Sequence, residues 1–153
     1  MKKILVSECL YGGRIVRYDA GDVTETDSHF LQWKQEGRLV AICPEVFGAL
    51  PIPRPDSQRV GDKVLTGAGT DVTAEYTTGA LEALRLAQEH KVVCAIMKQD
   101  SPSCGSKFIY DGTFTDTKKP GEGLAVEYLR KAGIKVFAEE DLDEVELYLR
   151  EHE

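Results

Sequence analysis

The segment VVCAIMKQDSPSCG, residues 92–105, decides the fold. Its first six residues are an apolar run, which is typical of a strand buried on both faces of a sheet. In the second half, Pro102 fixes its own φ angle and drives Ser101 towards extended geometry, and Gly105 permits a sharp exit. The hydroxyls around Cys104 are expected to favour its ionised form. The segment therefore predicts a buried strand followed by a loop that presents a thiolate.

Further strands and helices are predicted on both sides of this segment. Apolar runs predict strands at residues 4–7, 39–42 and 134–137. Helical spacing and capping residues predict helices at about 27–36, 74–90, 123–132 and 142–150. The core stripe predicted for the second helix consists of Ala80, Leu81, Leu84 and Ala87, and Gly79 beside it indicates close packing.

Strands that alternate with helices pair in parallel, with helices on both faces of the sheet. We therefore predict one domain over residues 1–153 with a three-layer, Rossmann-like α/β fold. The sheet is expected to be mostly parallel, with about four strands plus a β-hairpin. The hairpin is placed at residues 108–114 with Asp111 and Gly112 as its turn. Residues 43–70 are rich in proline and are predicted to be irregular, apart from a second hairpin that turns at 60–64.

The charge and composition of the chain argue against two classes of partner, nucleic acids and membranes. The 153 residues carry a formal net charge of -7, which argues against a nucleic-acid partner because such binding needs clustered Lys and Arg. No run of about eighteen apolar residues occurs, so no membrane span is expected. The first eight residues become polar too soon for a signal peptide, and we expect a cytoplasmic protein. Composition leaves the oligomeric state open.

Three of the four cysteines fall directly after predicted strands. Cys9, Cys43 and Cys104 follow the strands at 4–7, 39–42 and 92–97, respectively. Because the carboxyl ends of parallel strands share one edge of a sheet, these three cysteines are expected to converge there. Cys94 lies inside its strand and is expected to be a small core residue.

Three converging thiols without a fourth suggest a metal centre with one open position. A zinc ion or a cubane iron–sulfur cluster with one free iron fits that description. His29, His90 and His152 all lie where exposure is usual, which favours the cluster over zinc. Three readings stay open: unrelated cysteines, a zinc or iron–sulfur carrier or sensor without catalysis, and a thiol enzyme with Cys104 as nucleophile.

Four other side chains near these cysteines are candidate functional residues. Glu45, two positions after Cys43, is a candidate acid–base group, although a solvated loop glutamate is the simpler reading. Ser101 could relay a proton to a substrate or could only stabilise its turn. Ser103 is a candidate substrate contact, and Phe47 is a candidate for stacking on a flat ring.

At these residues the sequence resembles the iron–sulfur-dependent 2-thiouracil desulfurase family, over nearly the whole chain. The shared motifs are Ser7-Glu8-Cys9-Leu10 with Gly12 and Arg17-Tyr18-Asp19, Cys43-Pro44-Glu45-Val46 with Gly48, Asp71-Val72-Thr73 with Gly79-Ala80, and Ser101-Pro102-Ser103-Cys104-Gly105 with Tyr110-Asp111-Gly112. Two positions depart from the family pattern: Ala49 stands where a second glycine is common, and Gln58 stands near a position where glutamate is expected.

The resemblance implies a cofactor, a substrate and roles for five residues. It implies that Cys9, Cys43 and Cys104 hold a [4Fe–4S] cluster whose fourth iron is free to take sulfur from the substrate. It implies that Glu45 and Ser101 assist the chemistry. The implied substrate is a small thiolated nucleobase such as 2-thiouracil, and the implied products are uracil and sulfide. The sulfur would pass to the unique iron without net electron transfer.

Overall fold

The computed structural model describes residues 1–152 and contains a four-stranded parallel sheet at its centre. The strands are β1 (Ile4–Ser7), β2 (Leu39–Ile42), β5 (Cys94–Met97) and β8 (Val136–Ala138), and their order in the sheet is β2-β1-β5-β8. All three pairings are parallel. The predicted fold class and the four parallel strands are confirmed, although β5 and β8 each begin two residues later than predicted and β8 ends one residue later.

Helices cover both faces of this sheet. The long helix α4 (Thr73–Glu89) and α5 (Leu124–Lys131) pack together on one face, while α2 (Ser28–Gln35) and α6 (Leu142–His152) pack together on the other. Leu5 of β1 belongs to the first core, and Ile4 and Val6 belong to the second. This alternation along a single strand places a buried core on each side of the sheet, which makes a three-layer fold.

The long helix differs from its predicted core stripe at one position. Ala80 and Ala87 are buried and Leu84 packs against the core, but Leu81 is 53% exposed. Leu81 is one position away from Ala80, and one step around a helix turns a side chain by about 100°. The assignment of Leu81 to the core was therefore wrong.

Two short antiparallel pairs lie outside the main sheet. Strands β3 (Ser57–Val60) and β4 (Lys63–Thr66) form the hairpin predicted around residue 61. Strand β6 (Phe108–Tyr110) pairs with β7 (Lys118–Pro120), so the predicted two-residue turn at Asp111 and Gly112 was wrong. The Asp111 carboxylate accepts the Thr113 N–H and begins a longer loop instead.

Two short helices follow strands of the main sheet where the sequence analysis predicted none. Helix α1 (Glu8–Tyr11) continues directly from β1, and α3 (Pro44–Phe47) continues from β2. The prediction that proline excludes regular structure here was wrong, because Pro44 occupies the first turn of α3, where the missing N–H has no cost. At the end of α3, Ala49 has a φ of 71°, which is the left-handed region where glycine is the favoured residue.

Helix α3 makes backbone contact with the long helix α4 through two glycines. A Cβ atom on Gly79 would lie 1.9 Å from the Pro44 carbonyl oxygen, and one on Gly48 would lie 2.1 Å from the Glu75 carbonyl oxygen. No side chain fits at either point, so the expected close packing at Gly79 is confirmed. The contact fixes α3, and with it Glu45, against the rigid core.

We expect Gly79→Ala to lower the melting temperature even though alanine favours helix by about 1 kcal/mol. The added methyl group forces α3 away from α4, and such overpacking costs about 1–3 kcal/mol. Thr78→Ala is the matched control because Thr78 is exposed on the same helix. Thermal unfolding of both variants checks the expectation. A Gly79→Ala protein as stable as the Thr78→Ala protein would contradict it.

Candidate active site

A cavity opens at the carboxyl-terminal edge of the parallel sheet. Its volume is roughly 860 Å³ with the open mouth included, and its lining contains Cys9, Cys43 and Cys104. Cys94 is fully buried in the core and does not line it. The predicted convergence of three cysteines, without the fourth, is confirmed.

The two cysteines at the ends of β1 and β2 are held by the short helices. Cys9 lies in α1, directly after β1. Cys43 is the residue before α3 and has extended backbone angles (φ -107°, ψ 104°), as the following Pro44 requires. Both thiols thus lie at the point where a short helix follows a strand of the sheet.

The loop that carries the third cysteine, residues 101–105, is fixed by the start of α5. The backbone N–H of Leu124 donates to the Pro102 carbonyl at 2.8 Å, and that of Gly123 donates to the Gly105 carbonyl at 2.8 Å. These bonds satisfy N–H groups that a helix start otherwise leaves unpaired. The loop is therefore part of the rigid scaffold.

Burial raises the pKa of all three cavity thiols. It raises the pKa of Cys9 to about 12, with a further increase from the nearby Cys43. Burial also raises the pKa of Cys43, although hydrogen bonds from the backbone N–H groups of Val46 and Glu45 act to lower it. For Cys104, burial outweighs the hydroxyls of Ser7 and Ser103, which act in the opposite direction. The hydroxyls thus favour the ionised form of Cys104 as expected, but burial sets the net direction of the shift in its pKa.

The electrostatics of the three thiols suit a positively charged occupant. Cys43 raises the pKa of Cys9, and Cys9 and Cys43 both raise the pKa of Cys104, while Lys98 and Arg17 lower the pKa of Cys9 only in part. Three neighbouring thiolates need compensating positive charge, which iron ions supply. Thiolate nucleophiles have lowered pKa values, so these raised values do not support the thiol-enzyme reading.

The number and arrangement of the three cavity thiols bear on the kind of metal centre that they can hold. Within residues 1–152, no three His, Cys, Asp or Glu side chains are arranged to hold one metal ion together. In a [4Fe–4S] cluster each thiolate binds a different iron, so its ligands do not meet at one ion. Cys9, Cys43 and Cys104 line one cavity and are the kind and number of donors that a cluster with one open iron takes.

Glu45 and the two serines form one hydrogen-bonded group in the cavity wall. Oε2 of Glu45 accepts from Ser103 Oγ at 3.0 Å and from Ser101 Oγ at 3.2 Å, and the two hydroxyls are 2.9 Å apart. Glu45 is buried, which excludes the reading of a solvated loop glutamate. Ser103 Oγ also lies 3.5 Å from Cys104 Sγ, so the group extends to the thiols.

Arg54 and Tyr76 complete this group and were missed by the sequence analysis. Arg54 Nε donates to Glu45 Oε1 at 3.0 Å, and both side chains are buried. Burial and the neighbouring Glu45 raise the pKa of Tyr76, which keeps its phenol protonated. Arg54 lies in the proline-rich residues 51–55. The sequence signal that could have indicated its role is a single charged residue among apolar residues and prolines.

Phe47 is not brought to the cavity. Its side chain is 50% exposed at the end of α3 and is absent from the lining, so the structure does not support its predicted stacking role. Phe47 is two positions after Glu45, which turns it by about 200° around the helix, away from the face on which Glu45 lines the cavity. Three other aromatic side chains, Tyr18, Tyr76 and Tyr110, do line the cavity.

Comparisons with known proteins agree with this architecture. A family model described as 2-thiouracil desulfurase matches residues 4–141. The uncharacterized protein YbbK of Bacillus subtilis (strain 168) is 36% identical over 152 residues, which cover 93% of this chain and 99% of YbbK. A solved structure of TudS, described as a [4Fe-4S]-dependent thiouracil desulfidase, superposes with a TM-score of 0.95. It is 44% identical, and the match covers 98% of this chain and 99% of that one.

The chain belongs to the 2-thiouracil desulfurase family, because the family model matches most of its length. The resemblance noted in the sequence is confirmed, and the family is one of enzymes. Among residues 1–152, no helix is long and apolar enough to cross a membrane.

Proposed function

We propose that this protein removes sulfur from a thiolated pyrimidine such as 2-thiouracil, with a [4Fe–4S] cluster held by Cys9, Cys43 and Cys104. The observation that carries the proposal is that three thiols and the buried Glu45 group share one cavity. The similarity to TudS over nearly the whole chain supports both the reaction and the cofactor.

The proposed reaction is a hydrolysis without net electron transfer. Water adds to the carbon of the thiocarbonyl group, a carbon–oxygen bond forms, and the carbon–sulfur bond breaks. Thiouracil and water thus give uracil and hydrogen sulfide. When bound, the cluster supplies an iron without a protein ligand, which acts as a Lewis acid towards the substrate sulfur.

The chain itself supplies the proton transfers. Glu45 acts as the general base that takes a proton from the attacking water, since its Oε2 is in the cavity wall beside the hydroxyls of both serines. Each hydroxyl has one proton, so the contacts among Glu45, Ser101 and Ser103 cannot all be donated at once. The shared arrangement lets a proton pass from Glu45 through Ser101 to the substrate. Ser103 is proposed as a substrate contact in the same group.

The remaining properties fit a small uncharged or weakly charged partner. A net charge of -7 argues against nucleic acid, and a cavity that the three thiols line favours a small thiolated nucleobase. Four free cysteines suit a reducing compartment, and we propose the cytoplasm as the place of action.

Tyr110 rather than Phe47 is expected to contact the base. Tyr110 lines the cavity, and stacking of a base on an aromatic side chain is worth about 1–3 kcal/mol. Tyr110→Ala should therefore raise KM about tenfold, while Phe47→Ala should leave KM within about twofold of the unaltered protein. Steady-state kinetics of the two variants, corrected for iron content, checks this. Equal effects on KM would contradict the assignment.

Anaerobic turnover of 2-thiouracil tests the proposed function. Iron-loaded protein should release uracil and sulfide in equal amounts, and protein stripped by a chelator should release neither until it is reconstituted. A loaded protein that binds thiouracil but forms no uracil would favour a carrier or sensor of sulfur. Equal activity with and without iron would overturn the cofactor.

A further inference from the structure

We propose that Arg54 is a positioning residue that fixes the Glu45 carboxylate so that one defined oxygen faces the reaction. The proposal rests on the proposed function, and it goes beyond the five residues implied by the family resemblance. It starts from a guanidinium group that is buried in the wall of the cavity, with a side chain only 4% exposed.

All three nitrogen atoms of the Arg54 guanidinium are used in hydrogen bonds. Nε donates to Glu45 Oε1, Nη1 donates to the Pro51 carbonyl and Nη2 donates to the Val16 carbonyl, each at 3.0 Å. The backbone N–H of Arg54 also donates to the Tyr18 carbonyl at 2.8 Å. The two carbonyls on the guanidinium set its plane, because the donors of arginine form a rigid fork.

As a consequence, the two carboxylate oxygens of Glu45 have different hydrogen-bond partners. Oε1 is held by Arg54, and Oε2 is held by Ser101 and Ser103. The last torsion of a glutamate side chain is otherwise broad, so a free carboxylate would present either oxygen. With Oε1 occupied, Oε2 is the oxygen available to the water and the serine hydroxyls.

Lysine cannot replace Arg54 in this role. A lysine ammonium retains the positive charge beside Glu45, but it is a point charge on a flexible stem and cannot reproduce the planar fork. Arg54→Lys therefore changes the position of the Glu45 carboxylate without changing the net charge of the site. The expected loss is in the catalytic step, since misplacement of a reacting group by about 1 Å can cost on the order of 10²-fold.

Arg59 offers a matched control elsewhere in the fold. It is also buried, and its guanidinium donates to one carboxylate, Glu127 Oε1 at 2.6 Å, and to the carbonyls of Gly61 and Glu122. Arg59 does not line the cavity. Arg59→Lys should lower the melting temperature and leave turnover per cluster unchanged.

The test compares kcat, KM, cluster absorbance and melting temperature for Arg54→Lys, Arg59→Lys and the unaltered protein. For Arg54→Lys we expect an intact cluster and falls of about 10²-fold in both kcat and kcat/KM, with KM nearly constant. Turnover of Arg54→Lys equal to that of Arg59→Lys would overturn the proposal. Loss of the cluster in Arg54→Lys would also overturn it, because it would show that Arg54 maintains the cavity as a whole.

A double-substitution cycle gives a second measurement, in which the turnover of the double variant is compared with that of Glu45→Gln. Arg54→Gln combined with Glu45→Gln leaves no unpaired buried charge, and it should be no slower than Glu45→Gln alone, because Arg54 acts through Glu45. Additive losses would overturn the proposal. An inactive, cluster-loaded unaltered protein would instead overturn the proposed function, and with it the role of Arg54.

Discussion

Replacement of Cys9, Cys43 or Cys104 with serine is expected to remove the cluster and abolish turnover. Serine keeps the size of cysteine, but its hydroxyl does not ionise readily and is a poor ligand for iron in a cluster. With only three protein ligands, the loss of one leaves two, and the cavity can no longer retain the cluster. Iron content and visible absorbance after anaerobic purification measure the loss.

Cys94→Ala is the control for this prediction. Cys94 is fully buried in the core, where burial raises its pKa to about 12 and keeps it neutral. Its replacement should cost about 1–2 kcal/mol of stability and leave the iron content unchanged. Normal iron content in all three serine variants would refute the ligand assignment. Loss of iron in Cys94→Ala alone would show that the cluster lies elsewhere than proposed.

Glu45→Gln and Ser101→Ala are expected to retain the cluster and lose most of their turnover. Glutamine preserves the shape of Glu45 but cannot accept a proton, and the loss of a general base costs on the order of 10² to 10⁴ in rate. Ser101→Ala removes the hydroxyl that lies 3.2 Å from Glu45 Oε2, so a proton can no longer pass by that route. Uracil formation per cluster measures both effects.

The pattern of kinetic constants should show that these groups act in the chemical step. Because binding of the substrate sulfur does not involve Glu45, kcat should fall while KM changes little. Cluster absorbance provides the control for each variant. Near-normal rates in both variants with an intact cluster would refute the acid–base mechanism and favour a carrier of sulfur.

The sequence was sufficient for the sheet and for the convergence of the cysteines, because both depend on local patterns. Runs such as residues 4–7 and 92–97 are apolar on both faces, which only a doubly covered parallel sheet accommodates. Cys9, Cys43 and Cys104 follow such runs, and the geometry of a parallel sheet places them at one edge.

The remaining features depend on contacts between distant segments, which no local pattern records. Arg54 reaches Val16 and Glu45 through a loop whose path is set by tertiary packing. β6 pairs with a strand that begins after the seven residues 111–117, whereas the Asp111–Gly112 pair resembles a tight turn. Phe47 is close to Glu45 in sequence, but α3 turns it to the outside.

Iron and labile sulfide analysis of the anaerobically purified protein tests the central claim most directly. We predict about four irons and four sulfides per chain, with a broad visible absorbance that disappears in Cys104→Ser. Protein that carries zinc, or no metal, and cannot be reconstituted with iron and sulfide would contradict the claim that the cavity holds a [4Fe–4S] cluster.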